Sequence, residues 1–212
     1  NGELIEGKGT YQIKKLRAAL GYVTNFRTAV DIGAHVGMWT MQLAKKFKDV
    51  VSFEPVAAHR DCFMKNVTQE NVHLHGCALG ARNGYIAIDT EPTSSGDSYV
   101  SMKNPENGMR DGIVAVPTPG GSRAIPVKKL DEFNLQDVDF IKLDCEGYEW
   151  FALKGGEQTI MRCKPVIIVE QKPFKAEKFG LPRTHAVTYL KELGYEQKQE
   201  ISGDFIMKYF GH

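Results

Sequence analysis

Three acidic residues lie at the ends of predicted strands, and together they could bind and activate hydroxyl groups. Asp31 ends a short apolar run, and Glu54 and Asp144 each follow a run of aromatic or β-branched residues. Because ligands of open α/β sheets bind at the carboxyl ends of the strands, we expect these carboxylates at one site. A carboxylate accepts hydrogen bonds from ribose hydroxyls, and it can take the proton of a reacting hydroxyl. The three acids therefore predict a site for a ligand that contains a nucleoside.

A loop with two glycines follows the first of these acids. Gly33 and Gly37 flank the segment that contains His35, and glycine lets the backbone approach a ligand closely. The pyrophosphate fingerprint G-x-G-x-x-G has its second glycine where this chain has His35. Glu54 follows Gly33 by about 20 residues, the spacing of the ribose-binding acid in nucleoside-binding α/β folds. The loop therefore predicts a nucleoside ligand, but not clearly a dinucleotide.

A second acidic segment supplies the candidate catalytic residues. Asp144 and Glu146 are two positions apart, which places them on one side of an extended chain, and Glu170 ends a later predicted strand. We expect one of these three carboxylates to take a hydroxyl proton. Glu149 lies on the first turn of the next predicted helix, where the helix dipole favours negative charge. Lys142, a metal ion or a cationic ligand could compensate these acids, but no spacing is diagnostic of metal ligands, so we expect no metal.

Strands alternate with helices along the chain, which predicts parallel βαβ units in one α/β domain over residues 1–212. Residues 1–25 are expected to form an N-terminal helical extension, and residues 91–123, rich in Gly, Ser, Pro and Asn, an inserted loop or lid. We predict strands over residues 30–32, 49–53, 72–75, 84–88, 138–144, 166–170, 195–200 and 205–209. We predict helices over residues 10–22, 38–47, 56–69, 129–133, 148–161 and 183–193.

The composition is that of an ordinary globular protein. The chain has 212 residues, of which 42% are hydrophobic and 25% are charged, and this length suits one large domain. A formal net charge of +1 gives no general affinity for nucleic acid, so we expect no nucleic-acid partner. No apolar stretch approaches the roughly 20 residues of a membrane span, so we expect no membrane segment. The polar N-terminus predicts no signal peptide.

The four cysteines are scattered and form no C-x-x-C pair, which argues against a zinc or redox dithiol site. We interpret them as buried small hydrophobic residues in a reducing compartment and expect a cytoplasmic protein. The sequence leaves the oligomeric state open, with a homodimer among the possibilities.

Two segments resemble motifs of class I S-adenosylmethionine-dependent methyltransferases. Val30-Asp31-Ile32-Gly33-Ala34-His35-Val36-Gly37 resembles their first motif, and Phe53-Glu54-Pro55 resembles their second. The later block Lys142-Leu143-Asp144-Cys145-Glu146-Gly147-Tyr148-Glu149, with the strand that ends at Glu170, is similar to the FkbM family. The resemblance covers roughly residues 28–172, and this later block makes it much more specific than the first motif alone.

The FkbM resemblance implies a Rossmann-like, doubly wound, seven-stranded and mostly parallel sheet with an antiparallel C-terminal hairpin strand. It also implies S-adenosylmethionine as the cofactor and a hydroxyl of a sugar or small natural product as the methyl acceptor. Glu54 would bind the ribose and Asp144 would lie beside the methyl group, whereas His35 stands where the family often has Asn. The residues carried over to the cofactor are Asp31, Gly33, His35, Gly37, Glu54, Ala78, Leu79 and Asp144.

Other functions stay open at this stage. The missing glycine at His35 argues against a nicotinamide-dependent oxidoreductase. A nucleic-acid methyltransferase would usually carry an Asn/Asp-Pro-Pro-aromatic or Pro-Cys motif, and the chain has neither. The remaining alternative is a methyltransferase-like nucleoside-binding module without catalysis, against which the retained acids argue.

Overall fold

A computed structural model of the chain describes residues 11–86, 88–90, 98–100 and 125–211. Its strands are β1 (Thr28–Ile32), β2 (Asp49–Phe53), β3 (Val72–His75), β4 (Ala78–Leu79), β5 (Gly84–Ile86), β6 (Ile88–Thr90), β7 (Ser98–Val100), β8 (Ile125–Lys128), β9 (Val138–Leu143), β10 (Val166–Glu170), β11 (Tyr195–Ile201) and β12 (Asp204–Tyr209). Its α-helices are α1 (Ile13–Leu20), α2 (Met38–Leu43), α3 (Ala57–Asn66), α4 (Glu149–Lys154), α5 (Glu157–Cys163) and α6 (His185–Glu192).

The central sheet has seven strands in the order β11-β12-β10-β9-β1-β2-β3. The pairs from β10 to β3 are parallel, whereas β12 runs antiparallel to both β10 and β11. Ser202 and Gly203 join β11 to β12 with positive φ angles of 52° and 82°, the geometry that favours a tight hairpin. The predicted mostly parallel sheet with an antiparallel C-terminal hairpin is therefore confirmed.

Helices cover both faces of this sheet. Successive residues of a strand point to opposite faces, so each central strand packs against both layers of helices. In β10, Ile167 and Val169 pack in a cluster with α6, whereas Val166 and Ile168 pack in a second cluster with α1 and α2. All five residues of β10 are buried, as expected for a strand that is covered on both faces. The carboxyl ends of the parallel strands consequently lie at one edge, between two layers of helices.

The register at the centre of the sheet brings charged residues together between buried strands. Asp31 of β1 is opposite Ser52 on β2 and opposite Lys142 on β9. All three residues are buried. They lie on the face that α2 covers, where the Thr40 hydroxyl donates to Asp31 at 2.6 Å and lies 3.0 Å from the Ser52 hydroxyl. The sheet thus fixes an acid and a lysine just beneath the strand ends.

The predicted helix over residues 148–161 is two helices, α4 and α5, separated by Gly155 and Gly156. A Cβ atom at Gly155 would lie 2.0 Å from the backbone oxygen of Gly80, so the helix ends where a distant segment approaches it. Asp131 then caps α5 by accepting from the amides of Gln158 and Thr159. This break was missed because it depends on a contact that local periodicity does not reveal.

Two smaller sheets accompany the main one. Strands β4, β8 and β5 form a three-stranded sheet, and β6 pairs with β7. Apart from β7, the predicted insertion over residues 91–123 lies outside the described residues, as do residues 1–10 of the predicted N-terminal extension. None of the described helices combines the length and the apolar character that crossing a bilayer requires. Among the cysteines, Cys77 is buried as expected, but Cys62 is exposed.

Candidate active site

A cavity of about 440 Å³ opens at the carboxyl ends of the central strands, within the size range of small-molecule sites. Most of the predicted site residues line it, but Asp31 and Gly37 do not. The predicted cofactor residues on its wall are Gly33, His35, Glu54, Ala78, Leu79 and Asp144, and the predicted catalytic residues there are Asp144, Glu146 and Glu170.

The glycine loop packs directly on the loop that follows β9. Gly33 has a φ of +78°, and a Cβ atom at this position would lie 1.9 Å from the backbone oxygen of Asp144. Gly37 has a φ of +88° and packs against Val67, whose Cγ2 would lie 2.4 Å from an added Cβ. Side chains are disfavoured in this backbone region. Gly33 therefore allows two loops to meet under the cavity, and Gly37 allows α2 to start against α3.

Asp31 lies behind the cavity wall, where Lys142 connects it to the wall. The Asp31 carboxylate is fully buried, with Lys142 Nζ 3.3 Å from its Oδ1. The same ammonium donates to the backbone oxygen of Gly33 at 2.7 Å and lies 3.9 Å from Asp144 Oδ2. Burial acts to lower the pKa of Lys142, but the charges of Asp31 and Asp144 outweigh it and raise that pKa. Lys142 is therefore a permanent cation. It joins the glycine loop to the loop after β9 that carries Asp144 and Glu146, here called the acidic loop.

Glu54 reaches the cavity from the end of β2 and is held by three donors. Its Oε2 accepts from the amide of His35 at 2.8 Å, and its Oε1 accepts from the amide of Val56 at 2.8 Å. His59 Nδ1 lies 3.2 Å from the same Oε1. The carboxylate is 4% exposed, and the amide bonds fix its orientation. His35, at a φ of 51°, thus contributes its backbone amide to the position of Glu54.

An apolar region of the cavity lies beside Glu54. Phe53, Leu79 and Ile86 line it and are almost fully buried, and Ala78 joins them from β4. Burial raises the pKa of the Cys77 thiol at this wall, so the thiol is neutral. The region therefore offers apolar contacts to a planar ring.

Three carboxylates gather at the cavity beside the ends of β9 and β10. Asp144, Glu146 and Glu170 each place an oxygen within 4.8 Å of the others. Burial and the charge of Asp144 raise the pKa of Glu170 to about 8, because neighbouring like charges disfavour ionisation. The cluster can therefore hold a proton near neutral pH.

Each carboxylate of this cluster has a lysine nearby. Lys142 lies 3.9 Å from Asp144, and ion pairs join Lys172 to Glu170 and Lys175 to Glu146. The three oxygens also form a donor set of the kind that hard divalent cations bind. Because the lysines already supply positive charge, we keep the expectation that no metal acts here.

Glu149 holds the loop that carries Asp144 and Glu146. Its Oε1 accepts from the amides of Cys145 at 2.9 Å and Gly147 at 3.0 Å, and its Oε2 accepts from Gln171 Nε2 at 3.3 Å. Glu146 itself has a φ of 57°, a conformation that costs free energy for a residue other than glycine. Glu149 therefore stabilises a strained turn that points Glu146 toward the cavity, a role beyond the expected interaction with the helix dipole.

Replacing Glu149 with Gln should flatten the pH dependence of stability. Burial raises the pKa of Glu149 from 4.5 to about 7, so the folded state favours its protonated form. The protonated Glu149 carboxyl therefore stabilises the folded state below pH 4.5, and this contribution is lost as the pH rises through 7. From pH 4.5 to 7, the parent protein should therefore lose about 3 kcal/mol of unfolding free energy relative to the variant.

Urea unfolding at several pH values measures this difference. The control is Glu70→Gln, the same change at an exposed position, which should follow the parent protein at every pH. Parallel curves for Glu149→Gln and the parent would show that Glu149 does not titrate in this range.

The sequence did not identify His59, Lys172 and Lys175 as residues of the site. Lys172 could have been found, because it lies two residues beyond Glu170 and a buried acid there needs a counter-ion. Lys175 pairs with Glu146 instead, a contact between segments that the sequence does not reveal. His59 carries no comparable signal, since its position on the cavity depends on the direction in which α3 leaves Glu54.

Comparisons with known proteins identify the family and the fold of this chain. Residues 31–196 match the family model described as the methyltransferase FkbM domain. No curated protein matches the sequence. Among solved structures, an FkbM methyltransferase from Methylobacillus flagellatus KT has a TM-score of 0.53 at 18% identity over 88% of this chain. The chain spans only 45% of that protein's length.

Two further solved structures match over most of both chains. A precorrin-6y C5,15-methyltransferase from Geobacter metallireducens GS-15 has a TM-score of 0.52 at 12% identity, covering 97% of this chain and 92% of its own. A putative methyltransferase from Streptococcus mutans, solved in complex with SAH, has a TM-score of 0.53 at 10% identity, covering 92% and 94%. At these identities the likeness shows the fold alone, and it confirms the predicted Rossmann-like class. Because the family model matches well over half of the chain, the chain belongs to the FkbM family of methyltransferases, as its motifs predict.

Proposed function

We propose that this chain transfers the methyl group of S-adenosylmethionine to a hydroxyl oxygen of a small molecule or carbohydrate. The observation that carries the proposal is one cavity lined both by Glu54, which follows β2, and by three carboxylates within 4.8 Å of one another, which lie at the ends of β9 and β10. The region at Glu54 suits a nucleoside, and the three carboxylates suit a hydroxyl that must lose its proton.

The residues present fit this cofactor. Glu54 is a buried acceptor with capacity for a hydroxyl, and the apolar wall near Leu79 and Ile86 suits a purine ring. Gly33 lets the wall of the cavity close, because a side chain there would collide with the backbone at Asp144. We propose that Asp31 acts on the cofactor through Lys142 and the loop, since it does not line the cavity itself.

When bound, the cofactor supplies an electrophilic methyl group. The chain positions the acceptor hydroxyl and removes its proton, and this positioning is expected to supply much of the rate. Glu170 is the proposed general base, because it lies at the cavity and its pKa of about 8 is close to the working pH of an enzyme. Lys142 Nζ lies 3.9 Å from Asp144 Oδ2 and places a positive charge beside the cluster.

Two experiments test the proposed function. Isothermal titration with S-adenosylmethionine, its demethylated product and NAD should show micromolar binding of the first two and none of NAD. A screen of hydroxylated sugars and natural products with methyl-labelled cofactor should then show label in at least one acceptor. Binding without transfer to any acceptor would favour the non-catalytic nucleoside-binding module instead.

Glu54→Ala should weaken the binding of S-adenosylhomocysteine by about 10- to 100-fold, the effect of losing charge-assisted hydrogen bonds to a ribose. Titration calorimetry measures the affinity. Glu54→Gln keeps one oxygen and should give a smaller loss, whereas unchanged affinity in both variants would rule out Glu54 as the ribose acid.

A further inference from the structure

The hydrogen bonds at Glu54 leave too few acceptor positions for a ribose diol. A carboxylate offers about four lone-pair sites, two on each oxygen. Oε1 already faces two donors, the Val56 amide and His59 Nδ1, and Oε2 faces the His35 amide. About one site, on Oε2, remains for a ligand. Two vicinal hydroxyls that both donate therefore need a second acceptor close to Glu54.

His59 is the side chain in the right place to be that acceptor. It lies on the first turn of α3, lines the cavity, and is 8% exposed. Its Nδ1 faces a carboxylate oxygen at 3.2 Å, so Nδ1 is the nitrogen that donates. In this tautomer of a neutral imidazole, Nε2 carries no proton and accepts a hydrogen bond.

The orientation of Glu54 depends more on two backbone amides than on His59. The amides of His35 and Val56 bind the two carboxylate oxygens at 2.8 Å each, shorter than the 3.2 Å contact with His59. The ring of His59 is itself held edge-on against the ring of His35, with centroids 4.3 Å apart and planes at 69°. His59 is thus a positioned imidazole beside an acid that other groups have already oriented.

We propose that His59 is a second ribose-binding residue, which accepts one hydroxyl while Glu54 accepts the other. This inference rests on the proposed function, since it requires a nucleoside cofactor. It also gives His35 a role through its side chain, because the His35 ring supports the ring of His59.

Calorimetric titration with S-adenosylhomocysteine and its 2′-deoxy and 3′-deoxy analogues tests the proposal. His59→Phe keeps a flat ring against His35 but removes both nitrogens. It should bind S-adenosylhomocysteine about tenfold more weakly than the parent protein, the effect of one lost hydrogen bond. In the parent, each missing hydroxyl should weaken binding. In His59→Phe, one of the two deletions should cost nothing further, because its acceptor is already gone.

His75→Phe is the matched control. His75 ends β3 and stacks on Phe53, but it does not line the cavity, so its variant should bind all three ligands as the parent does. Thermal unfolding establishes that both variants fold. In the parent, ¹⁵N spectra of the histidine rings should show the Nδ1–H tautomer at His59 and a shift of its Nε2 on ligand addition.

The outcomes separate this inference from the proposed function. If the parent protein does not bind S-adenosylhomocysteine, the proposed function fails and His59 has no ribose to bind. If the parent binds but His59→Phe binds equally or more tightly, the His59 role is overturned and the proposed function stands. Equal costs of both hydroxyl deletions in parent and variant would also overturn the role of His59.

Discussion

Lys142→Met should lower the free energy of unfolding by about 3–5 kcal/mol, the cost of removing one partner from a buried ion pair. The side chain of Lys142 is 7% exposed, and that of Asp31 is 0% exposed. Methionine fills similar space but leaves the Asp31 carboxylate buried beside a second acid, Asp144, with no cation between them. Denaturant unfolding at neutral pH measures the loss.

Binding should fall together with stability in this variant. Lys142 donates to the Gly33 oxygen and approaches both Asp31 and Asp144, so its removal frees the glycine loop from the acidic loop. We expect S-adenosylhomocysteine binding below detection in calorimetry, even at temperatures where the variant is folded.

Two variants serve as controls for the Lys142 prediction. Lys154→Met removes the exposed ion pair with Glu157 and should change stability by less than about 0.5 kcal/mol. Adding Asp31→Asn to Lys142→Met removes the unpaired charge and should recover part of the lost stability. A loss below about 1 kcal/mol in Lys142→Met would show that the Asp31 charge does not need this partner.

The acids that meet at the cavity could be predicted because they follow parallel strands. Glu54 and Asp144 are the first residues beyond β2 and β9, and Glu170 is the last residue of β10. Residues at these positions reach the same edge whatever the details of packing. Asp31 differs from these acids, because it lies inside β1 rather than beyond its end and points to the face that α2 covers.

Contacts between distant segments account for what the sequence did not reveal. The role of Lys142 depends on the register that sets it opposite Asp31, and a register is not visible in either strand alone. The approach of Gly155 to Gly80 and the position of His59 likewise depend on how whole elements pack. Local patterns therefore predict which residues are near the site, and the packed structure decides which of them face it.

Glu170→Gln should reduce the rate of methyl transfer by about 10²- to 10⁴-fold, the contribution of a positioned general base. Glu170 is 3% exposed at the cavity, and glutamine keeps its size but cannot take a proton. Affinity for S-adenosylhomocysteine should stay within about threefold of the parent, because the proposed nucleoside contacts lie at Glu54 and not at Glu170. Single-turnover assays with an acceptor identified in the screen, together with calorimetry, measure the two quantities separately.

The pH dependence of the rate distinguishes a base from a residue that only shapes the cavity. Burial and the Asp144 charge raise the pKa of Glu170 to about 8, and only the ionised form accepts a proton. The parent rate should therefore rise with pH and level off above about 8, whereas Glu170→Gln should lack this rise. Glu200→Gln, the same change at an exposed position of β11, should keep the parent profile. If Glu170→Gln retained the rise and Glu146→Gln lost it, the base would be Glu146, since both carboxylates lie at the same cluster.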